Sequence, residues 1–317
     1  MALKILIFVT IAEQAEFYRN AILAKYPDFS VVAVADLDGI EAEIHDADIL
    51  MSFAAPLARR DVFGRARRLQ WVNVLGTGLD GVVDARSLDP RVIVTSTRGI
   101  HGVPASEMAI MLMLALARDF PRVVHAQDDA IYQRWTPALL HEKTVSILGV
   151  GLIAASLAPR CKAFGMRVVG ISRTRRRLPG FDAFYHRAEI AAAARELDFL
   201  VLLIPLDADT RAIVDEKVIA AMKPTSYLIN LAHGGIVDEA ALMAALRERR
   251  IAGAAMDTFE HEPLRPDNPW WRMPNTIVTP HLAGTYDRYA ADAFLQFDGN
   301  LAFFLTGRPE LMANRER

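Results

Sequence analysis

The sequence predicts an α/β protein made of two doubly wound parallel-sheet units joined by a long helix, and three observations carry that reading. Short apolar, β-branched runs alternate with amphipathic stretches, the pattern that builds a parallel sheet covered on both faces. The alternation breaks off near Thr97 and begins again at Thr144. The chain has 317 residues, more than one hydrophobic core commonly supports, so about two domains are expected.

In the first series, residues 5–9, 31–35, 48–52, 71–74 and 92–95 read as strands, with helical patterns at 13–25 and 61–68 between several of them. The opening run, 1–10, is apolar but has a single lysine and no small-residue cleavage site, and it leads into Glu13 and Glu16; it reads as a first strand, not a signal peptide. Thr97-Arg98-Gly99 is a turn, and Pro104 opens a helix to about Arg118. That helix carries Met108, Ile110, Met111, Leu112, Met113, Leu114 and Leu116 around nearly its whole circumference. A helix apolar all round needs partners all round: it lies in the core between the two units, or its outer side meets a second subunit. A looser, Trp-containing stretch, 132–141, precedes the second strand series at 144–148, 167–171, 199–204, 226–230, 254–257 and 276–279. Within that series the helix expected at 238–250 carries Arg247, Arg249 and Arg250 near its C-terminal end, a placement that suits the helix dipole. The amphipathic stretch 289–305 comes last.

Composition narrows the function classes. Lys and Arg total 36 against 38 Asp and Glu, a net charge of −2, whereas a nucleic-acid partner calls for a basic surplus. The apolar run 103–117 contains Glu107 and is too short to span a bilayer. The lone Cys161 excludes an internal disulfide framework and any multi-thiolate metal site. A soluble, reduced, cytoplasmic protein without membrane or nucleic-acid partners is expected.

Residues 145–148 lead directly into Gly149-Val150-Gly151-Leu152-Ile153-Ala154 and then a helix. The first glycine allows a tight turn, the second lets a pyrophosphate approach the backbone, and Ala154 is small enough for close helix–strand packing. The helix N-terminus adds free N–H groups and the positive end of its dipole. Such a pattern by itself is weak; the strand–turn–helix context gives it meaning. About 20 residues on, an NAD site usually carries Asp or Glu for the ribose 2′-hydroxyl. Here the chain reads Gly170-Ile171-Ser172-Arg173-Thr174-Arg175-Arg176-Arg177, with no acid. A hydroxyl followed by several guanidiniums suits a 2′-phosphate, which arginine binds through paired N–H donors. NADP(H) is therefore the expected cofactor, in preference to NAD(H).

Three segments each stand just beyond an expected strand end: Asn230-Leu231-Ala232-His233-Gly234-Gly235 and on to Glu239, Met256-Asp257-Thr258-Phe259-Glu260-His261-Glu262-Pro263-Leu264, and Thr279-Pro280-His281-Leu282-Ala283-Gly284-Thr285. Ligands bind outside the carboxyl ends of the strands in an open parallel sheet, so all three can face one crevice. A His and a Glu there make a proton-donor pair, the carboxylate stabilising the imidazolium near neutral pH. Taken alone, His281 reads as structural and Glu262 as a surface carboxylate; the dinucleotide loop reverses both readings.

From about Leu69 to Thr285 the chain resembles the D-isomer-specific 2-hydroxyacid dehydrogenases of the glyoxylate/hydroxypyruvate reductase kind. The matching stretches are Gly76-Thr77-Gly78-Leu79-Asp80 and residues 149–154, 205–210, 229–239, 257–263 and 279–284, in the family's order and spacing. The first 68 residues fit less distinctively, as the family's variable substrate domain. The resemblance implies a discontinuous flavodoxin-like substrate domain (1–98 plus 287–317) around a continuous Rossmann cofactor domain (99–286). It also implies an active site in the cleft between them and a homodimer built on the long helix. By the same resemblance His281 is the acid/base histidine and Glu262 its partner, and Thr77 and Gly78 belong to the loop whose amides receive the substrate carboxylate. Asp257, Leu231 and Ala232 line the nicotinamide side, and Pro205 and Thr210 lie on the loop passing over the cofactor. Gly284 joins the cofactor-binding set together with Gly149, Gly151, Leu152, Ile153, Ser172, Arg173, Thr174 and Arg175. The implied reaction is hydride transfer to the 2-keto carbon of a small acid such as glyoxylate, hydroxypyruvate or a pyruvate-like acid, with His281 protonating the alkoxide. His261, Glu262 and His281 also have the composition of a metal site, but the resemblance favours acid/base use, and no metal is expected.

One departure from the family matters. Its usual Ala-Arg-Gly-Gly, whose arginine clamps the substrate carboxylate, reads here with His233 in the arginine's place. Histidine is shorter and only partly protonated at pH 7; a charged hydrogen bond is worth about 1.5–3 kcal/mol, about tenfold to a hundredfold in kcat/KM. Three readings follow. His233 acts as an imidazolium clamp with an acid-shifted optimum; Arg98 or Arg134 replaces the clamp; or the substrate differs, a non-carboxylate being one such case, or catalysis is weak or absent. A rival of another class is a non-catalytic dinucleotide-binding protein like the related C-terminal-binding-protein corepressors, but a pure binder has no need of both His281 and Glu262.

Overall fold

A computed structural model of the protein describes residues 3–57, 60–79, 81–174 and 178–317. Arg175, one of the expected cofactor residues, lies outside them. The chain divides into two units, one of Met1–Ile100 with Tyr286–Arg317 and one of His101–Thr285.

The first unit is a five-stranded parallel sheet of β1 (Lys4–Phe8), β2 (Ser30–Val34), β3 (Ile49–Ser52), β4 (Trp71–Val74) and β5 (Ile93–Ser96), in the order β2-β1-β3-β4-β5. This is the flavodoxin-like order, reversing at β1/β3. Successive side chains of β1 serve opposite faces. Leu6 and Phe8 pack with Ile40 and Ile44, while Ile5 and Ile7 pack with Tyr18, Ile22 and Phe297 from the helices Ala12–Lys25 and Tyr289–Leu305. Because both faces are covered, the strands read as continuous apolar runs. Trp71 stacks on Phe297 with ring centroids 5.0 Å apart, which anchors the C-terminal helix to the centre of the sheet.

The second unit is a seven-stranded parallel sheet of β6 (Thr144–Leu148), β7 (Arg167–Ser172), β8 (Ala183–His186), β9 (Phe199–Leu202), β10 (Tyr227–Asn230), β11 (Gly253–Met256) and β12 (Thr276–Val278). Its order is β12-β11-β10-β9-β6-β7-β8, the Rossmann arrangement with a reversal at β6. The long helix, Gly102–Arg118, buries Ala105, Ala109, Leu112, Met113 and Leu116 against the helix Leu152–Ala163 and the sheet, and leaves Val103 and Met111 about half exposed.

Two sequence expectations are corrected. Residues 61–68 do not form a helix: only a 3-10 turn, Phe63–Arg65, is present. Gly64 stands in the middle of the run, where its backbone freedom opposes helix propagation, so the Asp61 Oδ1 bond to the Gly64 amide at 3.3 Å closes only this short turn. The helix expected at 238–250 is shorter, Glu239–Arg247, and Arg249 adopts a left-handed φ of 53° just beyond it. Strand β8 and the helix Phe120–Asp128 lie outside the expected elements; Phe120, Val123 and Val124 share one face of that helix, and β8 is a half-exposed edge strand. Among the described residues no helix is long and apolar enough to cross a membrane.

Candidate active site

The site begins at the strand-order reversal. After β6, Gly149 turns the chain at φ 102°, and a Cβ there would lie 2.5 Å from the Leu203 carbonyl oxygen and 2.8 Å from the Ile204 amide nitrogen; only glycine fits. Gly151 caps the helix Leu152–Ala163 without a side-chain hydrogen bond, and a Cβ at Gly151 would meet nothing within 4 Å. Leu152 is exposed and Ile153 half-buried, while Ala154 is fully buried. An uncapped helix start with open space before it and a small residue packed behind it fits a dinucleotide pyrophosphate. At the end of β7 the Ser172 hydroxyl donates to the Thr174 carbonyl at 2.6 Å, forming a short turn that leaves Arg173 and Thr174 exposed. Beyond β9, Pro205 is exposed, and Thr210 is buried with its hydroxyl engaged inside the loop. That hydroxyl donates to the Pro205 carbonyl at 2.8 Å and accepts from the Asp207 amide at 2.7 Å.

The acid/base candidates stand beyond the ends of the neighbouring strands β10, β11 and β12. Asn230, the last residue of β10, holds the next turn from both sides: its Oδ1 accepts from the Ala232 amide and its Nδ2 donates to the His233 carbonyl, each at 3.0 Å. Leu231 is buried, and Ala232 and His233 are half-buried, His233 in extended backbone. Gly234 then passes against the next segment so closely that a Cβ would lie 1.9 Å from the Phe259 carbonyl carbon. Asp257 is fully buried just beyond β11. Its carboxylate accepts from Thr279 Oγ1 at 2.6 Å and from the amides of Leu282 and Ala283 at 2.8 and 2.9 Å. Three donors satisfy this buried carboxylate, which shapes the loop that bears His281. The His281 amide donates to the Asp257 carbonyl at 2.8 Å, holding His281 at a left-handed φ of 55°.

Glu262 Oε1 accepts from the Phe259 amide at 2.9 Å, and Oε2 lies 2.8 Å from His281 Nδ1. The carboxylate accepts, so Nδ1 carries the proton and Nε2 is the ring nitrogen left to face a ligand. The hydrogen bond to Glu262 raises the His281 pKa against desolvation, helped by the charges of Glu262 and Asp257. Desolvation pushes the Glu262 carboxyl up, but the His281 hydrogen bond and charge, the Phe259 amide and the charge of His233 together hold it below its ordinary value. An imidazolium is thus available at higher pH than usual, beside a carboxylate that stays ionised.

The sequence-derived residues fall into the two units. His281, Glu262, His233, Asp257, Leu231, Ala232, Pro205, Thr210, Gly149, Gly151, Ser172 and Gly284 all belong to the seven-stranded unit, at strand ends or in the segments that follow them. Gly284 is half-buried, with a Cβ position 2.9 Å from the His101 ring. Thr77 and Gly78 follow β4 in the other unit, where Gly76 turns at φ 142° and its carbonyl accepts from the Thr97 amide at 3.0 Å. Arg98, also in that unit, lies 3.7 Å from Glu316, and Arg134 is exposed in the irregular segment after the Phe120–Asp128 helix. Sequence reasoning missed Asn230, whose position as the last residue of a strand was the available signal. It also missed the close approach of Gly234. Among the described residues no group of three or more His, Cys, Asp or Glu is placed to hold a metal ion.

Comparison with known proteins places this geometry. The profile of the D-isomer specific 2-hydroxyacid dehydrogenase NAD binding domain matches residues 110–283. A glyoxylate reductase from Aeropyrum pernix is 32% identical over 311 residues, covering 93% of this chain and 92% of that protein. A D-3-phosphoglycerate dehydrogenase from Methanocaldococcus jannaschii is 32% identical over 266 residues; the match covers 82% of this chain but only 50% of that longer protein. The crystal structure of an NADPH-dependent glyoxylate/hydroxypyruvate reductase from Sinorhizobium meliloti, in complex with NADP and sulfate, superposes with a TM-score of 0.83. It is 28% identical and covers 99% of this chain and 98% of that one.

Proposed function

The chain belongs to the D-isomer-specific 2-hydroxyacid dehydrogenases, a family of NAD(P)-dependent oxidoreductases, and from that premise we propose that it is a cytoplasmic reductase of small 2-keto acids that prefers NADPH to NADH. The observation that carries the reading is the 2.8 Å contact between His281 Nδ1 and Glu262 Oε2, set on the same unit as the open Gly149–Gly151 turn. A bound reduced nicotinamide supplies the hydride. The protein's part is position and charge. The helix start at Gly151–Ile153 holds the pyrophosphate, and Ser172, Arg173, Thr174 and Arg175 hold the 2′-phosphate. Thr77 and Gly78 offer backbone amides to the substrate carboxylate. His281, protonated and oriented by Glu262, donates its Nε2 proton to the oxygen of the former keto group as negative charge develops there. His233 takes the arginine's place as an imidazolium facing the substrate carboxylate, and its charge adds to that of His281 beside Glu262.

The test is loss of reduced-nicotinamide absorbance with NADPH and NADH side by side, over glyoxylate, hydroxypyruvate, pyruvate and phenylpyruvate, from about pH 5.5 to 8. Faster oxidation of NADPH, rising toward acid and flattened by His233→Arg, is the expected result. A wild-type pH profile identical to that of His233→Arg removes the imidazolium clamp. The exchange at His233 also favours a second reading, reduction of an uncharged ketone or aldehyde, and the same assay with such substrates separates the two. Tight NADPH binding with no turnover of any substrate overturns both in favour of a pure binder. The exposed Val103 and Met111 of the long helix, with Phe120, Val123 and Val124 of the next, support a homodimer built on these helices, which sizing in solution tests.

A further inference from the structure

One carboxylate near the proposed acid/base pair touches neither of its members. Glu239 opens the helix Glu239–Arg247, and each of its oxygens has one donor. Oε1 accepts from the Glu260 amide at 2.7 Å and Oε2 from the Trp270 indole Nε1 at 2.8 Å. Trp270 is almost fully buried and packs against Phe259 with ring centroids 6.0 Å apart. The backbone at Phe259 and Glu260 is therefore held on three sides. The Phe259 amide binds Glu262 Oε1, the Glu260 amide binds Glu239, and the backbone between them lies against Gly234, the neighbour of His233. Released from Glu239, the backbone loses its anchor at the Glu260 amide, and the adjoining Phe259 amide that orients Glu262 toward His281 can shift with it. The exposed ion pair Arg211–Glu260, 3.5 Å apart, is too open to solvent to hold the peptide in its place.

We propose that Glu239 is a positioning residue for the acid/base pair, acting through the Glu260 amide and braced by the Trp270 indole. The proposal rests on the assignment of Glu262 and His281 as that pair. The electrostatics of the readout are simple: His281 is faced by Glu262 and Asp257, and Glu262 by His281 and His233. Loosening Glu262 thus lowers the His281 titration midpoint toward that of an ordinary imidazole, whereas a general loss of stability would not.

Glu239→Gln is the informative change. Its amide oxygen can accept one of the two N–H groups, but its NH₂ then faces the other, so one donor is repelled. Removing the indole donor as well, in Glu239→Gln with Trp270→Phe, lets the glutamine oxygen serve the Glu260 amide alone. The experiment is an NMR titration of the His281 ring in the ligand-free full chain, run on wild type, Glu239→Gln, Trp270→Phe and the double variant. Expected are a lowered midpoint in Glu239→Gln, a near wild-type midpoint in Trp270→Phe and recovery in the double variant. The keto-acid reductase kcat of Glu239→Gln should fall about tenfold, with KM little changed. A midpoint that does not move in Glu239→Gln, or that moves equally in the single and double variants, overturns the proposal. Because the titration needs no substrate, it gives its answer even if the proposed keto-acid reduction fails, so the two ideas fall separately.

Discussion

The two units share one architecture and differ in what they place at the ends of their strands. In the five-stranded unit the buried polar groups of β4 and β5 and of the residue just beyond β5 close inward. Thr95 Oγ1 accepts from the Trp71 indole at 2.9 Å and donates to Asn73 Oδ1 at 3.0 Å, with all three residues buried. Thr97 Oγ1 likewise donates to the Val74 carbonyl at 3.0 Å. In the seven-stranded unit Asn230 and Asp257 are equally buried, but their partners are the backbone of outgoing loops. Those loops end at an imidazole whose side chain is 52% exposed. A parallel sheet is indifferent to chemistry; function appears where buried polar groups brace a loop toward solvent.

The strongest way to break this contrast is His281→Gln. Keto-acid reduction should fall by about 10³-fold in kcat with the thermal melting temperature preserved, as expected for a residue that acts outward. A loss of less than tenfold would place the proton donor elsewhere. Glu262→Gln should cost roughly 10²-fold in kcat at pH 8, and its direction with pH is fixed. Glu262 raises the His281 pKa, so without it the imidazolium, and with it the reductase activity, is lost at lower pH than in wild type. An unchanged alkaline limb would dissolve the pair.

The same pair makes a signed prediction about stability. The raised His281 pKa contributes stability below the ordinary imidazole value that is lost as pH rises through the folded value. The lowered Glu262 pKa contributes above the ordinary carboxyl value and is lost as pH falls through the folded one. Between ordinary values of 4.5 and 6.5 both contributions are present. The denaturation midpoint of wild type should therefore exceed that of Glu262→Gln most in this window, and less at alkaline pH.

Smaller effects sharpen the comparison. Gly234→Ala should destabilise by about 2 kcal/mol, because its Cβ would meet the Phe259 backbone at 1.9 Å, and should lower kcat as the Glu262 segment shifts. Thr95→Val should cost about 1 kcal/mol by orphaning the Trp71 indole while leaving kcat unchanged; a kcat that fell with it would mean that the inward network also serves catalysis. Gly299→Ala, inside the helix Tyr289–Leu305 with nothing within 4 Å of its Cβ position, should stabilise by about 0.5–1 kcal/mol. Urea titrations of the three variants rank them.

The amino-acid order by itself determined the two strand series, the glycine turn after β6 and the segments that carry His233, Glu262 and His281. Each of these is a local signal: apolar period, turn chemistry, or a residue type just past a strand. Local reading erred where a glycine sits inside an amphipathic run, as at Gly64, or where an edge strand lacks an apolar run, as in β8. Tertiary structure alone decided which atoms meet across long separations in the chain. It set Gly234 against Phe259, Glu239 against both Glu260 and Trp270, and Asp257 under the amides of Leu282 and Ala283. The physical reason is that parallel strands can be joined only by long crossovers. Loops distant in the chain therefore become neighbours at one end of the sheet, and their hydrogen bonds follow from strand order, which no local pattern encodes.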